Sequence, residues 1–325
     1  MHSTSCFGHF QASFIYFNTM GYRILFMCFV AFGAAAAEPS CPQAAGVAVQ
    51  VLGSGGPIAD DGRASAGYLV WVDGRARALV DAGGGVFLRF GEAGARFNDL
   101  DVIALSHLHT DHSAALPALL KSGSFAGRER PLVLAGPGPG GPFPGTEAFL
   151  ASLIGAEEGA YGYLSGYLHG EGRLPLLSVQ EFSVEDDARQ FEVELEDTSS
   201  LSVVAIPVPH GIVPALAFKV STANKTVVFA SDQNGSSAAF VEFAAGADLL
   251  VMHLVIPGDA DPVARRLHAT PGRVGEVAAA IDPGRLLLSH FMARSLRDLP
   301  GNLASVRERY EGEVVLAEDL LCVAL

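Results

Sequence analysis

Apolar residues fall along this chain in short blocks, each closed by turn-forming residues or by a residue of metal-ligand type. Gly46–Leu52 alternates, is rich in valine, and predicts a first strand ended by Gly53-Ser54-Gly55-Gly56-Pro57. Ala66–Val72 and Arg77–Val80 predict a hairpin joined by Asp73-Gly74. A short helix is expected near Val86–Gly94, a strand over Leu100–Leu105, a helix over Ala114–Ser122 and a strand over Pro131–Ala135. The breaker-rich loop 136–145 precedes a helix over Thr146–Ile154. Strands are then expected over Leu177–Val184, Gln190–Glu196, Ser202–Pro207 and Ala215–Val220. Thr226–Ala230, Leu249–Met252 and Leu286–Leu288 are short and continuously apolar, the pattern of strands buried on both faces. Helices are expected near Ser237–Ala245 and Gly272–Ile281, and Val314–Ala317 and Leu320–Leu325 close the chain. Strands followed by helices in both halves predict an α/β fold with two sheets and helices outside, a four-layer αββα sandwich.

Half of the 325 residues are hydrophobic and 17% are charged, a globular composition with length for one large core or two modest ones. The formal charge is −14, lysine is scarce and there is no basic run. That balance predicts no nucleic-acid partner, because phosphate backbones are bound by clustered Lys and Arg.

At the N-terminus, Gly21-Tyr22-Arg23, the apolar run Ile24–Phe32 and Ala35-Ala36-Ala37 before Glu38 read as a signal peptide over residues 1–37. The apolar run is short for a transmembrane helix. Residues 1–19 contain no Lys or Arg and read as an upstream extension, with Met20 the start. A lipoprotein anchor at Cys28 is disfavoured, since Leu25-Phe26-Met27 lacks the small residue expected before it. The domain 38–325 is therefore expected to be periplasmic or secreted, with no stable membrane anchor after cleavage. Cleavage leaves Cys41 and Cys322, which form either a disulfide closing almost the whole chain or two unrelated buried thiols.

Ser106-His107-Leu108-His109-Thr110-Asp111-His112 directly follows the run Val102-Ile103-Ala104-Leu105. Three imidazoles and a carboxylate crowded at a strand end are costly without a cation, and N and O ligands without Cys suit zinc, with Mn2+ or Fe2+ as alternatives. His210 follows Val203–Pro209, Asp232 follows Thr226–Ala230, and His290 follows Leu286–Leu288. Repeated placement at strand ends is how a rigid scaffold gathers metal ligands. His268 precedes Ala269-Thr270-Pro271 and is either a catalytic group or the residue that starts a helix. His253 reads as a supporting or structural residue. Tyr161, Tyr163, Tyr167 and His169 lie in a Gly-punctuated segment that reads as a pocket-lining insertion.

Together these residues resemble the metallo-β-lactamase fold superfamily, from about Gly46 to Leu325. Leu52-Gly53-Ser54-Gly55-Gly56-Pro57, Val80-Asp81-Ala82-Gly83, His210-Gly211, His268-Ala269-Thr270 and Leu288-Ser289-His290-Phe291 resemble its ribonuclease Z, arylsulfatase and cyclic-nucleotide phosphodiesterase branch. The resemblance implies one Zn2+ on His107, His109 and His210, a second on Asp111, His112 and His290, and Asp232 bridging them. It implies that Asp81 orients a ligand, the alternative being a turn residue at a strand end. It also implies hydrolysis by a hydroxide shared between the metals. Asp111 and His268 are the candidate catalytic residues, with His268 polarising the substrate or protonating the leaving group.

The chain departs from ribonuclease Z at His253-Leu254-Val255-Ile256, where that family has His-Glu-Ala-Thr and its carboxylate supports a later histidine. A basic tRNA-gripping arm is not evident. The resulting expectation is an exported dinuclear metal hydrolase acting on a small-molecule phosphodiester or sulfate ester, rather than on tRNA. Self-association into a homodimer fits the same reading. The alternatives are a lactonase or β-lactamase-like hydrolase and a metal-stabilised binding protein without catalysis. Asp232 counts against a true metallo-β-lactamase, and the complete ligand set counts against a non-catalytic protein. A di-iron oxygen- or NO-reducing relative would have Glu at the position of His109.

Overall fold

Alternation along the first strand separates two cores. In β1 (Val47–Gly53), Val47, Val49 and Val51 join one apolar cluster, and Ala48 and Leu52 join another, because successive side chains leave a strand on opposite faces. The computed structural model describes Cys41, residues 46–196 and residues 201–325. The signal peptide expected over residues 1–37 lies outside the described residues. Among the described residues no helix is long and apolar enough to cross a membrane.

The first sheet contains β1, β2 (Gly67–Val72), β3 (Arg75–Val80), β4 (Val102–Ala104), β5 (Leu132–Pro137) and β6 (Leu177–Phe182). The second contains β7 (Phe191–Val193), β8 (Ser202–Pro207), β9 (Leu216–Ser221), β10 (Thr226–Phe229), β11 (Leu249–His253), β12 (Arg285–Ser289) and β13 (Val314–Leu316). The last strand, β14 (Cys322–Ala324), returns to the first sheet beside β1, giving two seven-stranded sheets among the described residues. In each, an antiparallel part gives way to parallel strands, β3-β4-β5-β6 in one and β10-β11-β12-β13 in the other.

One face of the first sheet meets the second through Val49, Val70 and Val80. Its other face packs Leu69, Leu79 and Ile103 against the helices Val86–Glu92, Leu116–Gly123 and Thr146–Ile154. The helices Ala238–Ala244 and Pro271–Ile281 pack with the second sheet through Phe240, Phe243, Val274 and Val277. The expected αββα layering is therefore present.

The Asp73-Gly74 hairpin forms as expected, with positive φ at both residues (48° and 76°), the turn whose twist matches paired strands. Its second strand begins at Arg75 rather than Arg77. The helices Pro262–Leu267 and Leu299–Arg307 were not apparent from the apolar pattern. Pro300-Gly301 has the composition of a breaker, yet it occupies the first turn, where a proline lacks no needed N–H. Asp298 caps that turn by accepting from Gly301 N at 3.1 Å.

Of the two readings left open for the cysteines, the structure has the bridge. Cys41 and Cys322 form a disulfide with Cα atoms 5.5 Å apart. Pairing of β14 with β1, through Gln50 opposite Cys322, brings the end of the chain to its first strand.

Candidate metal centre

The loop after β4 is held from behind by Asp81, the residue that follows β3. Asp81 Oδ1 accepts from Ser106 N at 2.7 Å, and its Oδ2 accepts from Ser106 Oγ at 2.9 Å. The same Oδ2 lies 2.8 Å from His112 Nδ1. One carboxylate thus sets both the loop and a ring it presents, the role expected of it. Leu216 N donates to Ser106 O at 2.8 Å, fastening the start of β9 in the other sheet to the same loop. Asp111 and His112 sit on the short helix Thr110–Ser113.

The structure brings together all the residues expected to hold metal. His107, His109 and His210 form one group that could hold an ion, and Asp111, His112 and His290 form a second; within each, the donor atoms lie within 4.8 Å of one another. Asp232 stands between them. Its Oδ2 is 3.8 Å from His210 Nε2, 3.8 Å from His112 Nε2 and 4.0 Å from His107 Nε2, and its Oδ1 is 3.6 Å from His290 Nε2. His268 Nδ1 is also 3.8 Å from Asp232 Oδ2, and His268 groups with His210 and Asp232. His253 Nδ1 lies 2.5 Å from Asp232 Oδ1, so this histidine supports the carboxylate directly.

The tautomers fit a metal. His210 Nδ1 is 2.8 Å from the carbonyl of Leu267 and must donate to it, leaving Nε2 a bare lone pair. That Nε2 is buried and has no hydrogen-bond partner among the described residues. The proton His112 shares with Asp81 likewise leaves its Nε2 as an acceptor, yet this atom faces His290 Nε2 at 3.0 Å. A ring lone pair buried without a donor is stable when a cation accepts it.

Electrostatics agree. Burial, then the neighbouring His112, holds His107 well below the ordinary histidine range, and burial does the same to a lesser degree for His109; both rings are neutral, as ligands must be. Burial would raise Asp232, but His290 and His268 outweigh it and keep the carboxylate ionised. Burial would also lower His112, but Asp81, Asp111 and Asp232 outweigh it and raise this ring.

Backbone geometry is unusual at the same place. Asp81 (φ 61°), Ser231 (φ 61°) and His290 (φ 56°) all adopt left-handed conformations, which cost non-glycine residues about 1–3 kcal/mol each and persist where packing over-determines them. Gly56 lets the loop after β1 approach His290, since a β-carbon there would lie 2.9 Å from His290 Cε1 and 3.1 Å from Met292 Cγ. Gly56→Ala is expected to displace His290 and to weaken metal binding about tenfold, measured by competition with a chromophoric chelator; unchanged affinity would count against this packing role.

The cluster opens into a cavity of about 480 Å³ whose walls include Leu108, Val255, Leu267, Met292 and Arg294. A larger apolar groove of about 600 Å³, lined by Phe87, Leu88 and Phe97, contains no ligand-type histidine. The Tyr-rich segment does not line the cavity, contrary to expectation. Tyr167 is buried and donates to Leu120 O at 2.7 Å, and Tyr163 lies under the Lys121 ammonium. These aromatics serve packing and surface contacts instead. Sequence reasoning missed Arg294, since a lone arginine four residues beyond a histidine carries no periodic or strand-end signal.

Residues 76–291 match the family described as beta-lactamase superfamily domain. Ribonuclease Z of Mycobacterium sp. (strain KMS) is 30% identical over 290 residues, covering 84% of this chain and 94% of that protein. The chain belongs to the metallo-β-lactamase superfamily of hydrolases, in its ribonuclease Z branch. Ribonuclease Z of Haloferax volcanii is 28% identical over 303 residues, covering 82% of this chain and 92% of that one. Two solved structures share the superfamily fold at 20% identity. The metallo-beta-lactamase fold protein YhfI from Bacillus subtilis has a TM-score of 0.64, over 86% of this chain and 99% of that one. Human tRNase Z, short form, has a TM-score of 0.65, over 85% and 98%.

This kinship overturns the expectation of a small-molecule ester substrate with no nucleic-acid partner, because the relatives that match most of the chain are named ribonucleases. The physical reason is that net charge sums over the whole surface, whereas a phosphodiester responds to the potential inside one cleft. Here that cleft contains Arg294 and the histidine cluster.

Proposed function

We propose that this protein is a metal-dependent phosphodiesterase that hydrolyses RNA. The observation that carries the proposal is Asp232, whose Oδ2 stands 3.8–4.0 Å from nitrogens of both histidine groups, in a family whose matching relatives are named ribonuclease Z. His107, His109 and His210 would hold one ion, Asp111, His112 and His290 the other, with Asp232 between. Nitrogen and oxygen donors without thiolate favour a zinc pair. Bound there, two divalent cations supply Lewis acidity and acidify a coordinated water.

The chain's own groups do the rest. Asp81 and His253 hold His112 and Asp232 in place. Burial lowers His268 to about 3, so its ring is neutral and serves as a hydrogen-bonding group to a phosphoryl oxygen, the polarising role, rather than as a ready proton donor. Arg294 Nε donates to Val255 O at 3.1 Å, which anchors the guanidinium at the cavity wall, where its remaining N–H groups would serve a phosphate. The apolar walls exclude water from the reacting centre.

We infer that the protein is exported and acts outside the cytoplasm. The Cys41–Cys322 bridge is of the kind that persists in oxidising compartments, and fractionation of producing cells is expected to find the protein outside the cytoplasm.

The metal-loaded protein should be assayed on an RNA oligonucleotide, bis-(p-nitrophenyl) phosphate, p-nitrophenyl sulfate, an acyl-homoserine lactone and nitrocefin. Turnover of the two phosphodiesters is expected. Turnover of only the sulfate, the lactone or nitrocefin would overturn the proposal. Arg294→Ala is expected to raise KM for RNA about tenfold, the loss of roughly 1.4 kcal/mol of phosphate binding, while kcat changes less; an unchanged KM would remove Arg294 from the substrate site.

A further inference from the structure

Behind the Asp232 carboxylate, His253 leads to two buried hydroxyls, Tyr68 and Ser289, that the hydrolysis proposed above does not use. Tyr68 stands on β2, in the opposite sheet from Asp232, and is 1% exposed. Its hydroxyl donates to Ser289 Oγ at 2.8 Å and lies 3.5 Å from His253 Nε2. His253 Nδ1 in turn lies 2.5 Å from Asp232 Oδ1. Ser289 and His253 face each other in register on β12 and β11. The neighbours of Tyr68 on the same face of the first sheet, Val70, Ala78 and Val80, are apolar. A phenylalanine would fill the seam between the sheets without a hydroxyl to satisfy, so a tyrosine there carries a desolvation cost that packing alone does not require.

We propose that Tyr68 is a positioning residue for the metal centre, acting through His253 on Asp232. His253 faces Asp232 Oδ1 through Nδ1 and the Tyr68 hydroxyl through Nε2. Its single ring proton goes to the strongest acceptor in reach, Asp232 Oδ1, and Nε2 is then a lone pair turned toward the Tyr68 hydroxyl. The hydroxyl's one proton is shared in a three-centre bond, with Ser289 Oγ the nearer acceptor at 2.8 Å and His253 Nε2 the farther one at 3.5 Å. Held at Oδ1, Asp232 keeps Oδ2 pointed at His107, His112 and His210. Without the support, the carboxylate can rotate and exchange its oxygens. Tyr68 thus does across the sheets what Asp81 does for His112 within one.

The inference rests on Asp232 being a metal ligand, and its test separates the two. Metal content and affinity are measured for the wild type, Tyr68→Phe, His253→Gln and the double variant, together with the visible spectrum of the cobalt-substituted proteins and the melting temperature of the metal-free ones. Tyr68→Phe is expected to weaken metal binding about tenfold, to shift the cobalt bands and to lower kcat with KM unchanged. The double variant is expected to lose no more affinity than His253→Gln alone, since both act through one bond. A wild type that binds no metal ends the site reading and this inference with it. A wild type that binds metal normally, with Tyr68→Phe unchanged in affinity and spectrum or with losses that add in the double variant, overturns this inference alone. Should Tyr68→Phe fail to fold, Ser289→Ala replaces it: that change turns the tyrosine hydroxyl wholly to His253, shifted cobalt bands support the inference, and bands identical to the wild type overturn it.

Discussion

Asp232→Asn should abolish hydrolysis and strip metal from the protein while leaving the fold intact. The substitution keeps the side chain's shape and removes its charge. Asp232 is 2% exposed and faces His107, His112, His210 and His290 across 3.6–4.0 Å, so in the proposed centre one negative charge is shared between two divalent cations. Residues that only support metal ligands typically cost 10–100-fold in affinity or activity when removed, about 1.4–2.7 kcal/mol. A ligand common to both ions should exceed that, and a loss of at least about a hundredfold in kcat/KM is expected. Elemental analysis of the purified variant should show less than the full complement of metal, and circular dichroism should match the wild type. An Asp232→Asn protein that retained both metal and activity would end the dinuclear reading. Treating the wild type with a strong chelator should mimic the variant, and adding zinc should restore the wild type but not the variant.

Reducing the Cys41–Cys322 bridge is expected to produce the largest change in stability. The bridge links residues 281 apart, so the loop-entropy estimate for cutting it is about 5 kcal/mol. At about 2–4 °C per kcal/mol for a large domain, that corresponds to a fall in melting temperature of about 10 °C or more. The comparison is thermal unfolding of the oxidised protein, the reduced protein and the Cys41→Ser/Cys322→Ser variant. Coincident transitions, with free thiols confirmed in the reduced sample, would show that pairing of β14 with β1 holds the terminus without the bridge. Metal binding should change little, because the bridge joins Cys41 to β14 and contributes no atom to the centre.

Much of the fold was legible from short-range pattern. The αββα layering follows from strands that alternate, as in β1, and strands that are continuously apolar, as in β10, β11 and β12, whose bounds differ from the expected ones by a residue or so. The errors lie where tertiary context overrides composition. Pro300-Gly301 starts a helix because a cap from Asp298 and a first-turn position make the proline harmless. Tyr167 belongs to the core because the packing of neighbouring helices, not its aromaticity, decides where it points.

The metal site was legible for a related reason. His107, Asp232 and His290 each stand just beyond an apolar strand, and parallel strands place their C-terminal ends on one rim, so spacing along the chain already pointed to convergence. The sequence alone therefore determined the architecture and pointed to the residues that the structure gathers into one cluster. Only the tertiary structure decided three further matters. It showed that Cys41 and Cys322 are partners, because the return of β14 to β1 spans nearly the whole chain. It placed Arg294 on the cavity wall. It set His253 beside Asp232, with Tyr68 of the opposite sheet beyond it. Each is a contact between residues far apart in sequence, and local patterns carry no record of which distant side chains will meet.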